Sequence, residues 1–303
     1  MFDGPAPADP ATDNPVAYLA REAGALAVVT GIEGAAYKPV GAMMAFGADG
    51  ARVGSLSSGC VEGALAAEAE AAMAEGAPRR VRYGRGSPYI DVTLPCGAGL
   101  DIVVLPRPDR AVLSESARLW AERCAHGLHL DADGALYLEP RAHAFEIVRT
   151  PPVRLLAFGR GPEIVAFVRL ARGAGLAAEA FSPDDAVLAE TGGAALTVPD
   201  ALPAFEADPQ TAIVTFFHDH DWEPAILARA LGGPAFWIGA QGSARARAAR
   251  TGALAARGVT GDALARLRGP IGLIPSARDP LTLAVSVLAD VMEAYKDRFG
   301  AHP

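Results

Sequence analysis

The chain has 303 residues, enough for two domains, and its 51% hydrophobic and 20% charged residues are the make-up of a folded globular protein. A net charge of −8 repels phosphate backbones, which argues against nucleic-acid binding but leaves room for a local basic loop that grips one small anion. The first residues lack the basic start and apolar stretch of a signal peptide, no apolar run approaches the roughly 20 residues of a membrane helix, and three cysteines are too few for a disulfide framework; the expected setting is a reducing cytoplasm, away from membranes.

Residues 1–13, with Asp3, Asp9, Asp13 and three prolines, read as a disordered tail. A helix is predicted over 15–23, capped by Asn14 with Pro15 in its first turn. A strand follows at 25–30. Strands at 42–46 and 51–55 flank Ala48-Asp49-Gly50, a hairpin signal. Residues 61–74, rich in Ala, Glu and Leu, favour a helix. Further strands are expected at 79–83, 89–94 and 100–105. Residues 14–108 thus read as a mixed α+β domain. Residues 109–152 read as a connecting helix (111–125) and hairpin (128–138), and Thr150-Pro151-Pro152 marks a stiff boundary.

From 153 to 303 the rhythm becomes strand, loop, helix. Strands are predicted at 153–158, 177–181, 211–217 and 235–238, and helices at 162–172, 224–231, 244–256 and 280–298. The run at 211–217 is apolar throughout, as in a strand covered on both faces. The expected fold class is therefore α/β, with a mixed N-terminal domain followed by a Rossmann-like, doubly wound parallel sheet.

Four loops can carry chemistry. Gly159-Arg160-Gly161-Pro162-Glu163-Ile164 joins a strand to a helix, the setting of a phosphate-binding turn. Ile164 stands where a dinucleotide fingerprint has its third glycine, and Pro162 removes one N–H, so either phosphate binding or a turn that binds nothing fits. Asp184 and Asp185 fall about where such folds hold a ribose-binding acid. His218 and His220 follow the central strand and can bind a metal or hydrogen-bond a ligand, or simply be exposed. Gly239-Ala240-Gln241-Gly242-Ser243 precedes a helix bearing Arg245, a second anion-binding turn, whereas Arg250 and Arg257 read as a solvated face.

The fourth loop, Gly54-Ser55-Leu56-Ser57-Ser58-Gly59-Cys60-Val61-Glu62, puts Cys60 at a helix start, where the positive end favours thiolate, a soft ligand for a metal or for sulfur. Glu62 suits either the helix dipole or a ligand contact. Cys96 sits in a tight glycine loop, and Cys124 reads as a core filler within its helix.

At these loops the chain resembles the XdhC/CoxI family, accessory proteins of xanthine and carbon monoxide dehydrogenases. The likeness lies in residues 54–62, Cys96-Gly97, residues 159–163, His218-Asp219-His220, Ile238-Gly239 with Gly242-Ser243, and Pro270-Ile271-Gly272-Leu273. The resemblance implies an XdhC/CoxI domain followed by a Rossmann domain. It implies binding of molybdenum cofactor (molybdopterin), sulfuration of that cofactor with a cysteine desulfurase, and its delivery to an apo-molybdoenzyme of the xanthine dehydrogenase family. A homodimer is compatible with it. The expected cofactor contacts are Ser57, Gly59, Cys60, Glu62, Cys96, Gly159, Arg160, Gly161, His218, His220, Gly239, Gly242, Ser243 and Arg245, with Cys60 facing molybdenum or its sulfur. The chain departs from the family pattern at Ser58, where glycine is common, and at Leu281 and Thr282, where acidic residues are common. Such a protein is an accessory factor more than an enzyme. The alternatives are an NAD(P)-dependent oxidoreductase, for which no catalytic acid or base stands out, and a thiol-based sulfurtransferase with Cys60 as persulfide carrier.

Overall fold

A computed structural model describes residues 14–57, 59, 61–88, 94, 96–217 and 221–300. The expected tail at 1–13 and most of the expected strand at 89–94 lie outside the described residues. The chain divides into two compact units between Pro151 and Pro152.

The N-terminal unit is built on a five-stranded antiparallel sheet. It comprises β1 (Gly24–Glu33), β2 (Met43–Gly47), β3 (Arg52–Gly54), β4 (Arg79–Gly84) and β5 (Gly99–Pro106), in the order β3-β2-β1-β5-β4. The central strand β1 is apolar on both faces and is covered on both. Ala25, Ala27 and Val29 pack with Leu65, Ala69 and Ala72 of helix α2 (Glu62–Glu75). Leu26 and Val28 pack with Val16 and Leu19 of α1 (Pro15–Leu19) and Leu113 of α3 (Arg110–Ala121). A three-stranded sheet, β6 (His126–Leu130), β7 (Leu136–Tyr137) and β8 (Phe145–Arg149), adds Leu128, Leu130 and Ile147 to that second core.

Helix α1 is capped as the sequence suggested: Asn14 Oδ1 accepts from the backbone N–H of Val16 and Ala17. It ends at Leu19, short of the predicted 23, because Gly24 already belongs to the sheet. There a Cβ would meet the carbonyl oxygen of Phe46 at 2.3 Å. Helix α3 also stops early. Arg123 takes a left-handed φ of 58°, so Cys124 lies beyond the helix and is exposed, not the core filler expected.

The C-terminal unit contains β9 (Arg154–Gly159), α4 (Gly161–Gly173), β10 (Ala177–Ser182), α5 (Asp185–Thr191), β11 (Ala194–Ala195), β12 (Thr211–Phe216), α6 (Glu223–Leu231), β13 (Trp237–Ala240), α7 (Ala244–Ala256), α8 (Gly261–Ala265), β14 (Leu267–Arg268) and α9 (Pro280–Phe299). The sheet order is β11-β10-β9-β12-β13-β14 and each pairing is parallel. Counted within this sheet the order is 3-2-1-4-5-6, that of a doubly wound dinucleotide fold. Residues of β9 alternate between two cores. Leu155 and Ala157 join α4 and α9, while Leu156 and Phe158 join α6 and Leu254 of α7. The order in which strands are added reverses between β9 and β12, so their carboxyl ends open the crevice in which such folds bind ligands.

Candidate functional site

In the N-terminal unit, the loop before α2 is organised by one carboxylate. Glu62 is buried, and its Oε1 accepts from Ser57 N (2.9 Å), Leu56 N (3.2 Å) and Ser55 Oγ (3.0 Å). Its Oε2 accepts from Ser57 Oγ (2.7 Å) and Val61 N (3.1 Å). Burial opposes ionisation, but hydrogen bonds from the Ser57 hydroxyl and from backbone N–H groups, Gly59 included, outweigh it and hold the carboxyl at about 2. Glu62 is thus an ionised anchor turned into its own loop. Gly59 is exposed with φ of 102°, and a side chain there would meet open space. Cys60, the candidate thiolate, lies outside the described residues. Cys96 is exposed in a turn closed by Gly97 N to Leu94 O at 2.9 Å. Leu56 and Val61 share a buried cluster with Leu94 and Ala98, so the Ser57 loop and the Cys96 turn are rooted in the same core.

In the C-terminal unit, the two glycine turns lie at the carboxyl edge of the sheet, on either side of β12. Their strands are two spacings apart, about 10 Å. Gly159 is packed so closely that a Cβ would sit 2.5 Å from the carbonyl oxygen of Phe216, and Arg160 N donates to that oxygen. Gly161 begins α4 with φ of 73°. Arg160 Nη1 pairs with Asp184 Oδ1 at 3.0 Å, which ties the acid after β10 to the turn after β9. A groove of about 580 Å³ runs from Gly161 and Pro162 past Asp184 and Glu190 to Asp279. Its lining carries both signs, since Arg169 pairs with Glu190 at 2.9 Å and Asp184 is held by Arg160.

On the other side of β12, Gly242 has φ of 137° and Ser243 caps α7, its Oγ accepting from Ala246 N at 3.3 Å. Arg245 is exposed. Gly239 does not belong to this loop as expected. It is buried within β13, where a Cβ would lie 2.2 Å from the Trp237 ring, so its lack of a side chain serves packing. Arg250, expected on a solvated face, is instead buried. Its Nε and Nη2 donate to Glu223 Oε2 and Oε1 at 2.9 and 3.0 Å. Arg257 remains at the surface, paired with Asp200. Sequence reasoning also passed over Gln241, whose Oε1 is buried with no hydrogen-bond partner among the described residues. His218 and His220 lie outside the described residues. Among the described residues, no three His, Cys, Asp or Glu side chains gather as a metal site. No helix among them is long and apolar enough to cross a membrane.

Residues 17–84 match the XdhC and CoxI family, and residues 155–291 match the XdhC Rossmann domain. The chain is 33% identical over 287 residues to the molybdenum cofactor insertion chaperone PaoD of Escherichia coli (strain K12), which covers 91% of this chain and 84% of that protein. The chain belongs to the XdhC and CoxI family. A crystal structure of a xanthine dehydrogenase from Bacillus halodurans superposes with a TM-score of 0.70 at 24% identity, covering 93% of this chain and 95% of that one, and shares the fold. The mixed N-terminal architecture and the C-terminal Rossmann sheet expected of an XdhC/CoxI member are those observed. The loop at 54–62 falls inside the XdhC and CoxI match, and both glycine turns fall inside the XdhC Rossmann match. Cys96 falls between the two matched segments.

Proposed function

We propose that this XdhC/CoxI member binds molybdenum cofactor, protects it during sulfuration by a cysteine desulfurase, and hands it to an apo-molybdoenzyme of the xanthine dehydrogenase family. The observation that carries this reading is the 33% identity, across both units, to a relative named for inserting that cofactor.

The residues present suit the ligand's chemistry. Its phosphate matches the backbone N–H groups beside Gly161 and Gly242, where positive φ turns the chain into helix starts, with Arg160 and Arg245 near those turns. Its heterocycle carries N–H donors, and Gln241 Oε1 is a buried acceptor in want of one. The bound group would supply a molybdenum centre able to take a terminal sulfur ligand. In the N-terminal unit, Ser57, anchored by Glu62, and the exposed Cys96 thiol are groups suited to sulfur handling. Cys60 as a thiolate offers soft-ligand or sulfur-handling chemistry.

A nicotinamide dinucleotide is the competing ligand, because the 3-2-1-4-5-6 order and an acid after the second strand also belong to NAD(P) folds. Here that acid, Asp184, is engaged by Arg160. Anaerobic purification with molybdenum and pterin analysis of the bound fraction, followed by titration with molybdopterin, NAD and NADP, decides between them. Molybdopterin is expected to bind and the dinucleotides to fail. Tight NAD binding with no pterin retained would replace this reading.

A further inference from the structure

Between β12 and α7 lies a buried polar network that no part of the proposed chemistry has yet used. Thr215, Glu223 and Arg250 are respectively 0%, 1% and 3% exposed. Thr215 Oγ1 donates to Glu223 Oε1 at 2.9 Å, and Arg250 grips both carboxylate oxygens. Arg250 Nη2 also donates to the carbonyl oxygen of Gln241 at 2.6 Å, while Gln241 N donates to Thr215 O at 2.9 Å. A buried ion pair is a poor source of net stability, since desolvation cancels much of its attraction. It is an effective way to fix geometry, because each partner accepts one arrangement only. What this one fixes is the backbone of Gln241, from both sides, at the carboxyl edge of the sheet.

Gln241 is in turn the residue whose amide oxygen is buried and unpartnered among the described residues. Leaving such an acceptor unpaired is costly, and the clamped backbone fixes the point from which its side chain projects. We propose that Gln241 is a specificity residue that accepts a hydrogen bond from an N–H donor on the ring edge of a bound pterin, and that Glu223 and Arg250 are positioning residues that hold it there. This inference rests on the cofactor-binding reading and extends it. The phosphate is gripped by helix starts that any phosphate ester would satisfy, whereas Gln241 selects the heterocycle.

The test compares wild type, Gln241→Leu and Arg250→Lys by anaerobic titration with molybdopterin, with 6-hydroxymethylpterin, which lacks the phosphate, and with inorganic phosphate. Gln241→Leu is expected to bind the two pterins about tenfold more weakly, the effect of one net hydrogen bond, with phosphate binding unchanged, and Arg250→Lys to weaken pterin binding to a similar extent. Hydrogen exchange gives a readout independent of ligand: Arg250→Lys is expected to speed exchange at Gln241 and Gly242, with the far strand β10 unaffected. Wild-type pterin affinity in folded Gln241→Leu overturns the inference and leaves the cofactor reading standing. Failure of wild type to bind any pterin overturns both. If Gln241→Leu does not fold, Arg250→Lys with faster exchange at Gln241 but undiminished pterin selectivity overturns the inference on its own.

Discussion

Ser57 is bonded twice to Glu62, its backbone N–H to one carboxylate oxygen at 2.9 Å and its hydroxyl to the other at 2.7 Å. The Ser57 hydroxyl also accepts from Val61 N at 3.1 Å. The acid at the start of α2 therefore reaches back over its own loop and closes it, and the segment on either side of Cys60 is anchored at both ends. Glu62→Gln keeps the size but has one acceptor oxygen in place of two and no charge. It is expected to fold with a loss of about 2–3 kcal/mol, the scale of one or two charge-assisted bonds. It is also expected to retain less cofactor after anaerobic gel filtration. Thermal melts and pterin analysis of the same preparation check both.

The same carboxylate sets a pH dependence. Its folded value of about 2 lies below the ordinary 4.5, so the unfolded chain binds the proton first as pH falls. The stability it contributes is complete above about 4.5 and is lost as pH drops from there through about 2. Urea unfolding of wild type and Glu62→Gln at stepped pH is expected to show a gap that is constant near neutrality and closes on acidification. A gap that widened as pH fell would mean that Glu62 is not an ionised anchor.

Gly161 and Gly242 are left-handed at the two turns, so a β-branched residue is strained at either by about 1–2 kcal/mol. An added Cβ would also lie 3.2 Å from Glu163 Oε2 at Gly161, and 3.0 Å from Ala246 Cβ at Gly242. Gly161→Val with Gly242→Val is expected to remain folded and to lose phosphate and molybdopterin binding together. Undiminished affinity in that double variant would move the phosphate site elsewhere.

The elements that the sequence revealed are those governed by local chemistry. Asn14-Pro15 and Asp279-Pro280 open helices, and in each the cap side chain accepts from the following turn. The run Thr211–Phe216 is buried at every position, as its lack of charged residues and of polar alternation suggested. What stayed hidden depends on partners distant in sequence. Glu223 and Arg250 stand 27 residues apart, and the arginine reads as surface until α6 and α7 are placed side by side. Gly239 looks like a loop glycine because its reason, the Trp237 ring folded across it, is a packing event. The two-residue strands β11 and β14 are too short for any periodicity and exist because β10 and β13 offer them an edge. For Glu62 the helix-dipole reading had the right position, but the sequence does not say that the side chain turns back to Ser57.

The three cysteines are expected to separate by role. Cys60 follows Gly59, which is exposed with nothing over it, and precedes Val61, whose N–H is held by Glu62 and Ser57. The described residues on either side are thus an uncrowded glycine and an anchored valine. Cys96 is exposed in a turn rooted in the same core but precedes no helix start. Cys124 is also exposed, so access alone does not distinguish it. Its thiol rests 3.7 Å from the Glu122 carbonyl oxygen at the end of α3, in a turn that includes none of the candidate contacts. Each Cys→Ala variant, loaded with sulfurated cofactor, can be assayed for activation of a molybdenum-free apo-dehydrogenase. Cys60→Ala is expected to fold normally and lose most activation, Cys96→Ala to lose part, and Cys124→Ala to match wild type. Parallel thiol labelling with and without molybdopterin tests the ordering independently: bound cofactor is expected to shield Cys60 and Cys96 and to leave Cys124 reactive. Full activation by Cys60→Ala would discard the thiolate role and leave the loop's backbone N–H groups as its functional part.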